Sequence, residues 1–296
     1  MKLIKKVLSR IGSSSLKQEI DELKILTGNH LARIAANAES MQKAEFKVFS
    51  QWGDDGIIQF LTNKIDISNQ YFVEFGVENY AEATTRFLLI NNNWDGLVMD
   101  GSAANVDFIK NDAIYMKFGL TAKHAFITSE NINILLDEEN VPNRIGIFHI
   151  DIDGNDYWIW KNLKRVVADI VIVEYNSVFG STRSITVPYQ DNFNRTKAHY
   201  SNLYYGASLS ALCDLAKEKG YTFVGCNSAG NNAYFVLNDK LGMLKSLTAE
   251  EGFVRSKFKE SRNKEGNLTF LMPGIREKVI ETLDIYNTRT NKIEKI

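Results

Sequence analysis

The chain has 296 residues, 44% of them hydrophobic and 24% charged, with a formal net charge of −1. This is the composition of one large α/β domain with an appendage, and a near-zero charge excludes a nucleic-acid footprint spread over the whole chain. No apolar run approaches the ~18 residues of a membrane-spanning helix. The two cysteines, Cys213 and Cys226, lie in apolar segments that suit buried free thiols better than a disulfide.

Residues 1–12 are basic but lack an apolar core of signal-peptide length, so a cytoplasmic location is expected. Lys2, Lys5, Lys6 and Arg10 alternate with Leu3, Ile4, Val7, Leu8 and Ile11. Such a segment either docks on the anionic inner face of a membrane or packs on another subunit. Ser13–Ser15 break the pattern. A helix is predicted over about 16–41, with Leu16, Ile20, Leu23, Thr27, His30 and Ile34 near heptad spacing, a seam suited to homo-oligomerisation. Residues 1–47 are therefore read as an N-terminal helical extension. Phe49–Ile58 read as a turn feeding a helix from Ile57 to about Lys64, with Asp54 or Asp55 capping it or lining a site.

Residues 48–240 alternate strands and helices. Strands are predicted at 71–76, 96–100, 114–118, 145–151 and 170–175. Helices are predicted at about 82–91, 103–111, 129–137, 157–163 and 206–219. Residues 221–226 and 232–237 are strands joined by the turn-rich Asn227–Asn231, hence antiparallel neighbours. The sum is a mainly parallel sheet with helices on both faces, closed by an antiparallel pair. Residues 179–205 form a long polar insertion containing Pro188 and Tyr189, and 241–296 a charged, largely helical tail.

Each main strand carries an acid at or near its end: Glu74, Asp100, Asp151 and Glu174. In an open α/β sheet ligands bind beyond the carboxyl ends of the strands. No P-loop, no Gly-x-Gly-x-x-Gly and no Gly-x-Ser-x-Gly is present, which counts against P-loop NTPases, nicotinamide dehydrogenases and a common hydrolase plan. Asp100 suits a ribose diol, or the N-cap of a helix opening at Gly101-Ser102. Glu74 suits a ligand hydroxyl or cation, or is a buried acid satisfied by backbone donors. Asp151, Asp153 and Glu174, with Asn176, offer hard oxygens for Mg²⁺ or another divalent cation. Equally, Asp153 and Asp156 cap the 157–163 helix. His149 shares a strand face with Asp151 and is either a general base or a hydrogen-bonded core residue.

Glu74-Phe-Gly76, Asp100-Gly-Ser102, the Asp151-Ile-Asp153-Gly154 strand end and the Glu174 strand end together resemble class I S-adenosylmethionine-dependent methyltransferases over about 48–238. Ile150–Asp156 is similar to the Asp-x-Glu-Gly-x-Glu signature of the FkbM-like branch, with Asp153 and Asp156 in place of the glutamates. The usual Gly-x-Gly after the first strand is replaced by Gly76-Val-Glu78-Asn79-Tyr80. The resemblance implies a Rossmann-like seven-stranded sheet with an antiparallel closing pair. It implies S-adenosylmethionine held by Glu74 and Gly76 at the methionine side, by Asp100 with Ser102 at the ribose, and by Asn131 and Ile132 at the adenine. It further implies O-methylation of a sugar or glycan hydroxyl with His149 and Asp151 catalytic, aided by a divalent ion on Asp151, Glu174 and Asn176. Asp153, Tyr189, Tyr204 and Tyr205 would meet the acceptor. Two readings of other classes stand beside it: a non-catalytic nucleotide- or sugar-binding protein, and a metal-dependent hydrolase built on Asp151, Asp153 and Glu174.

Overall fold

A computed structural model describes the backbone of residues 2–296 and the side chains of Leu16 and of residues 19–296. Among these no helix is long and apolar enough to cross a membrane. Seven strands make the main sheet: β1 (Tyr71–Phe75), β2 (Asp95–Asp100), β3 (Leu120–His124), β4 (Arg144–Ile150), β5 (Val167–Glu174), β7 (Tyr221–Cys226) and β8 (Asn232–Leu237). Their order is β3-β2-β1-β4-β5-β8-β7, parallel except for β8, which runs antiparallel to β5 and β7. This is the expected Rossmann-like sheet with its antiparallel closing pair. The strand order reverses between β1 and β4, which creates the crevice where such sheets bind ligands.

The strands are legible as apolar runs because helices bury both faces. Val73, Leu97, Phe148, Val171 and Phe235 pack with α7 (Ile132–Glu138), α8 (Asp156–Asn162) and α10 (Leu209–Glu218). Phe72, Val98, Ile147, Ile172 and Val236 pack with α3 (Asp54–Lys64), α4 (Arg86–Asn92), α5 (Ala103–Asn111) and α6 (Ala113–Lys117). Each large apolar side chain so buried contributes ~1.5–3 kcal/mol. Of residues 114–118, expected as a strand, 114–117 belong to α6 and Phe118 is its C-cap. Asp112 starts that helix by accepting from the Ile114 N–H, and the strand begins later, at Leu120.

The N-terminal helix, α1 (Lys2–Ala35), runs through Ser13–Ser15 without a break and stops before a short helix, α2 (Met41–Ala44), capped by Ser40. It docks through small residues. A Cβ at Gly28 would lie 2.6 Å from Val48 and 2.7 Å from Phe87, and Ala32 joins Val48, Phe49 and Phe87 in a local core. Leu16, Ile20, Leu23 and Ile34 of the predicted stripe are exposed, and Ile20, Leu23 and Thr27 line a groove beside Lys47 and Val48. The expected membrane contact of residues 1–12 depends on side chains outside the described residues.

The insertion after β5 and the C-terminal tail form a second, smaller core. Ile185, Val187, Phe193, Leu203 and Tyr205 pack with Ile280 and Ile285. The insertion carries β6 (Ile185–Thr186) and α9 (Arg195–Ala198), and the tail is not largely helical. Its helices are only α11 (Ala249–Gly252) and α12 (Ile275–Ile280), and it ends in a hairpin, β9 (Asp284–Asn287) and β10 (Lys292–Lys295), that pairs with β6. Asn287 closes the hairpin by accepting from the Arg289 and Thr290 N–H groups, and Asn291 adopts the left-handed conformation.

Candidate active site

At the end of β1 the chain must pass beneath the end of β4. Gly76 does so with φ +69°, and a Cβ there would lie 1.8 Å from the Asp151 carbonyl oxygen. Its N–H donates to Met99 O on β2. One glycine thus brings the tips of three strands together, which explains why a single glycine suffices in this turn.

Against that junction lies a cavity of about 240 Å³ lined by Gly76, Glu78, Met99, Asp100, Gly101, Ala125, Phe126, Ile127, Asp151, Ile152, Asp153, Asn155 and Phe193. Four of these residues are carboxylates and none is basic. Asp100 receives Ser102 N–H at 2.8 Å and Asn105 Nδ2 at 3.0 Å, both on Oδ1, which leaves Oδ2 for a ligand. Ser102, and not Asp100, is the N-cap of α5, and Ser102 stays off the cavity wall. Asn155 donates Nδ2 to Gln190 O, which fixes its amide, and its buried Oδ1 has no partner.

Several expected cofactor contacts lie elsewhere. Asn131 is occupied with Thr128 N–H and Phe126 O, and Ile132 is sealed in the core, so Phe126 and Ile127 form the apolar wall in their place. Glu74 does not line the cavity. Its carboxylate accepts from Thr84 N–H (2.8 Å), Thr85 N–H (3.0 Å), the Thr85 hydroxyl and His149 Nδ1 (2.9 Å). Burial alone would raise its pKa, but His149 and these donors hold it below the usual carboxylate value. An ionised Glu74 only accepts, so Nδ1 of His149 carries a proton and Nε2, buried and unpartnered, is the free position of the neutral ring. Burial pulls His149 down, but Glu74, Asp151 and Asp54 together raise its pKa above the ordinary histidine value.

The rim beyond β4 and β5 is acidic. Burial, reinforced by Asp153, pushes Asp151 up to about 7, against the opposing pull of His149 and Arg195. Burial, Asp151 and Asp153 push Glu174 well up, and its Oε2 is buried without a partner. Asp153, at φ +55°, pairs with Arg195 at 2.6 Å, and that guanidinium lies 3.7 Å from the Tyr205 ring centre. Asp156 closes the turn by accepting from Ile152 and Gly154 N–H. The expected metal set does not assemble. Asn176 spends its amide internally, donating to Leu203 O and Tyr205 O and accepting from Val178 N–H. Among the described residues no group of three acidic, histidine or cysteine side chains could hold an ion.

Of the three tyrosines, Tyr205 is buried against Arg195, whereas Tyr189 bonds Glu130 and Ser129, and Tyr204 bonds Asp284 O. The sequence does not single out Asp54 as a partner of the strand tips, yet it accepts from Asn227 Nδ2, Asn232 Nδ2 and the Tyr234 hydroxyl. Asp55 instead ties down the preceding loop through Val48, Phe49 and Ser50. Helix capping explains neither, since α3 is capped at Gly53 without a side chain. The signal available was the density of polar and aromatic residues at 50–55.

No family model matches the chain, and no curated protein does. Solved structures that resemble it include a carbon methyltransferase, CurJ, at 13% identity and TM-score 0.40, covering 77% of this chain and 70% of that one. Another is an O-methyltransferase from Bacillus cereus in complex with SAH, at 12% identity and TM-score 0.35, covering 56% and 72%. The pyocyanin biosynthetic protein PhzM matches at 11% identity and TM-score 0.37, covering 56% of this chain, which spans 50% of the length of PhzM. Likenesses at this level carry no statement about activity.

Proposed function

We propose that this chain is an S-adenosylmethionine-dependent O-methyltransferase acting on a sugar or glycan hydroxyl. The observation that carries the cofactor is the cavity at the β1/β4 switch point, which has four carboxylates, no basic residue and apolar walls at Phe126, Ile127 and Phe193. Phosphate-bearing cofactors would meet repulsion there, whereas a ligand with a sulfonium, an ammonium, a ribose diol and a flat base fits its charge and polarity. Asp100 Oδ2 would take the ribose hydroxyls, Asn155 Oδ1 a ligand N–H, and Phe126 and Ile127 the base. When bound, S-adenosylmethionine supplies a transferable methyl group. The chain's part is to position an acceptor hydroxyl near Asp151 and to take its proton at His149 Nε2, with Glu74 holding the opposite nitrogen and stabilising the imidazolium. The sugar acceptor is supported by the resemblance of Ile150–Asp156 and by the acidic rim. Titration with S-adenosylmethionine, ATP and NAD tests the cofactor: saturable binding of the first alone supports the reading, and preference for ATP or NAD overturns it.

For α1 we propose pairing of two copies along Leu16, Ile20, Leu23, Thr27, His30 and Ile34, supported by the exposure of its apolar members at heptad spacing. Sedimentation of Leu16→Glu/Leu23→Glu should show a monomer where the parent is a dimer; a monomeric parent would refute it.

A further inference from the structure

On the β1–β4–β5–β8 face that packs against α3, the apolar alternation gives way to polar residues near the strand tips. Glu74 and His149 are register partners, and so are Glu174 and Asn232, with Ile172 linking the two pairs as the register partner of both His149 and Tyr234. Side chains two apart on a strand share a face, so His149, Asp151, Glu174 and Asn232 lie on one side. Three of them carry a buried atom with no partner: His149 Nε2, Glu174 Oε2 and Asn232 Oδ1. The Asn232 amide is oriented, because Nδ2 donates to Asp54 Oδ1 at 3.0 Å. Two residues before Asp54, Trp52 has an unpartnered buried Nε1–H and stacks on Phe258, with centroids 5.9 Å apart and planes 14° apart. Orphaned polar atoms are rare in folded proteins, and here three lie on the sheet face that leads to Asp151, a residue of the cofactor cavity, while Trp52 lies two residues from the Asp54 that holds Asn232.

We propose that Trp52, His149, Glu174 and Asn232 form the acceptor site, and that it takes a ring bearing neighbouring hydroxyls. The chemistry of the four atoms selects the class. Trp52 Nε1–H donates, Asn232 Oδ1 accepts, and Glu174 and His149 do either according to protonation. An ammonium could not accept from Trp52, whereas hydroxyls both donate and accept and so satisfy all four. The Trp52–Phe258 stack supplies a flat apolar surface for the ring. Unlike Tyr189 and Tyr204, whose hydroxyls are committed elsewhere, these residues have capacity to spare. The proposal rests on the methyltransferase reading for the role of the site, but not for its existence.

The test is saturation-transfer NMR with methyl α-glucopyranoside, methyl α-galactopyranoside and methyl α-mannopyranoside, and cyclohexanol as a single-hydroxyl control. SAH affinity is titrated on the same samples. Transfer to at least one pyranoside and not to cyclohexanol is expected. Asn232→Ala and Trp52→Phe, the latter removing the N–H donor together with the pyrrole ring while keeping an aromatic face, should each weaken the pyranoside about two- to tenfold. SAH affinity should be retained. SAH binding with no pyranoside transfer, or transfer unchanged in both variants, would overturn the acceptor site. Pyranoside transfer lost in both variants, in a protein without SAH affinity, would support the site and overturn the methyltransferase reading. Absence of both would overturn both.

Discussion

Glu74 Oε1 and His149 Nδ1 lie 2.9 Å apart across the β1–β4 register, in side chains that are both 3% exposed. The Glu74 pKa is held below its ordinary 4.5, so its stabilisation is present above pH 4.5 and is lost as pH falls through the folded value. The His149 pKa is raised above 6.5, so its contribution is complete below pH 6.5 and is lost as pH rises through the folded value. The pair therefore stabilises most between these limits. Denaturant unfolding across pH should show a plateau there that Glu74→Gln flattens, and Glu74→Ala should cost ~3 kcal/mol by leaving its partners unpaired.

The same pair sets the rate profile. Methyl transfer should rise with pH through a limb lying above 6.5, because His149 must be neutral at Nε2 to take a proton. Glu74→Gln removes the charge that raises His149 and should move the limb downward. A limb unmoved by Glu74→Gln would exclude His149 as the base.

Gly76→Ala should be damaging out of proportion to one methyl group. The added Cβ would meet the Asp151 carbonyl oxygen at 1.8 Å in a left-handed turn, so the tips of β1 and β4 must separate. Lower thermal stability together with loss of cofactor binding is expected, whereas Gly180→Ala, at positive φ but with no neighbour within 4 Å, should show only the modest strain.

Chelators should leave cofactor affinity unchanged, since the Asn176 amide is already committed to Leu203, Tyr205 and Val178. Asn176→Ala should instead lower stability by ~1–3 kcal/mol, as two buried carbonyls lose their donor. Restoration of activity by Mg²⁺ after chelation would contradict this account.

Much of the sheet is legible because strands buried on both faces are written as apolar runs, and the Asn227–Asn231 turn announces the antiparallel pair. Gly76 and Asp100 can be found because each depends on its own turn. Residues whose state depends on distant partners cannot. Glu74 looks available until Thr84, Thr85 and His149 are folded around it, and Asn176 looks like a ligand until the insertion supplies two carbonyls. Ile114–Phe118 is apolar enough for a strand, but Asp112 caps it into a helix. The tail hides a hairpin because β10 is a charged edge and β9 pairs on its other side with β6, which lies far back in the chain. Trp52 is marked only by the dense polar and aromatic run around it and Asn232 by nothing local, since only folding brings them to the same rim.

The most direct test is calorimetric titration of S-adenosylmethionine into the parent protein and Asp100→Ala. Asp100 is the carboxylate at the end of β2 that lines the cavity, and both its hydrogen bonds fall on Oδ1, which leaves Oδ2 for a ribose. Saturable binding, weakened about tenfold to a hundredfold in Asp100→Ala while the fold is retained, is predicted. No binding to the parent protein, or equal binding by the variant, would contradict the assignment of this cavity to S-adenosylmethionine.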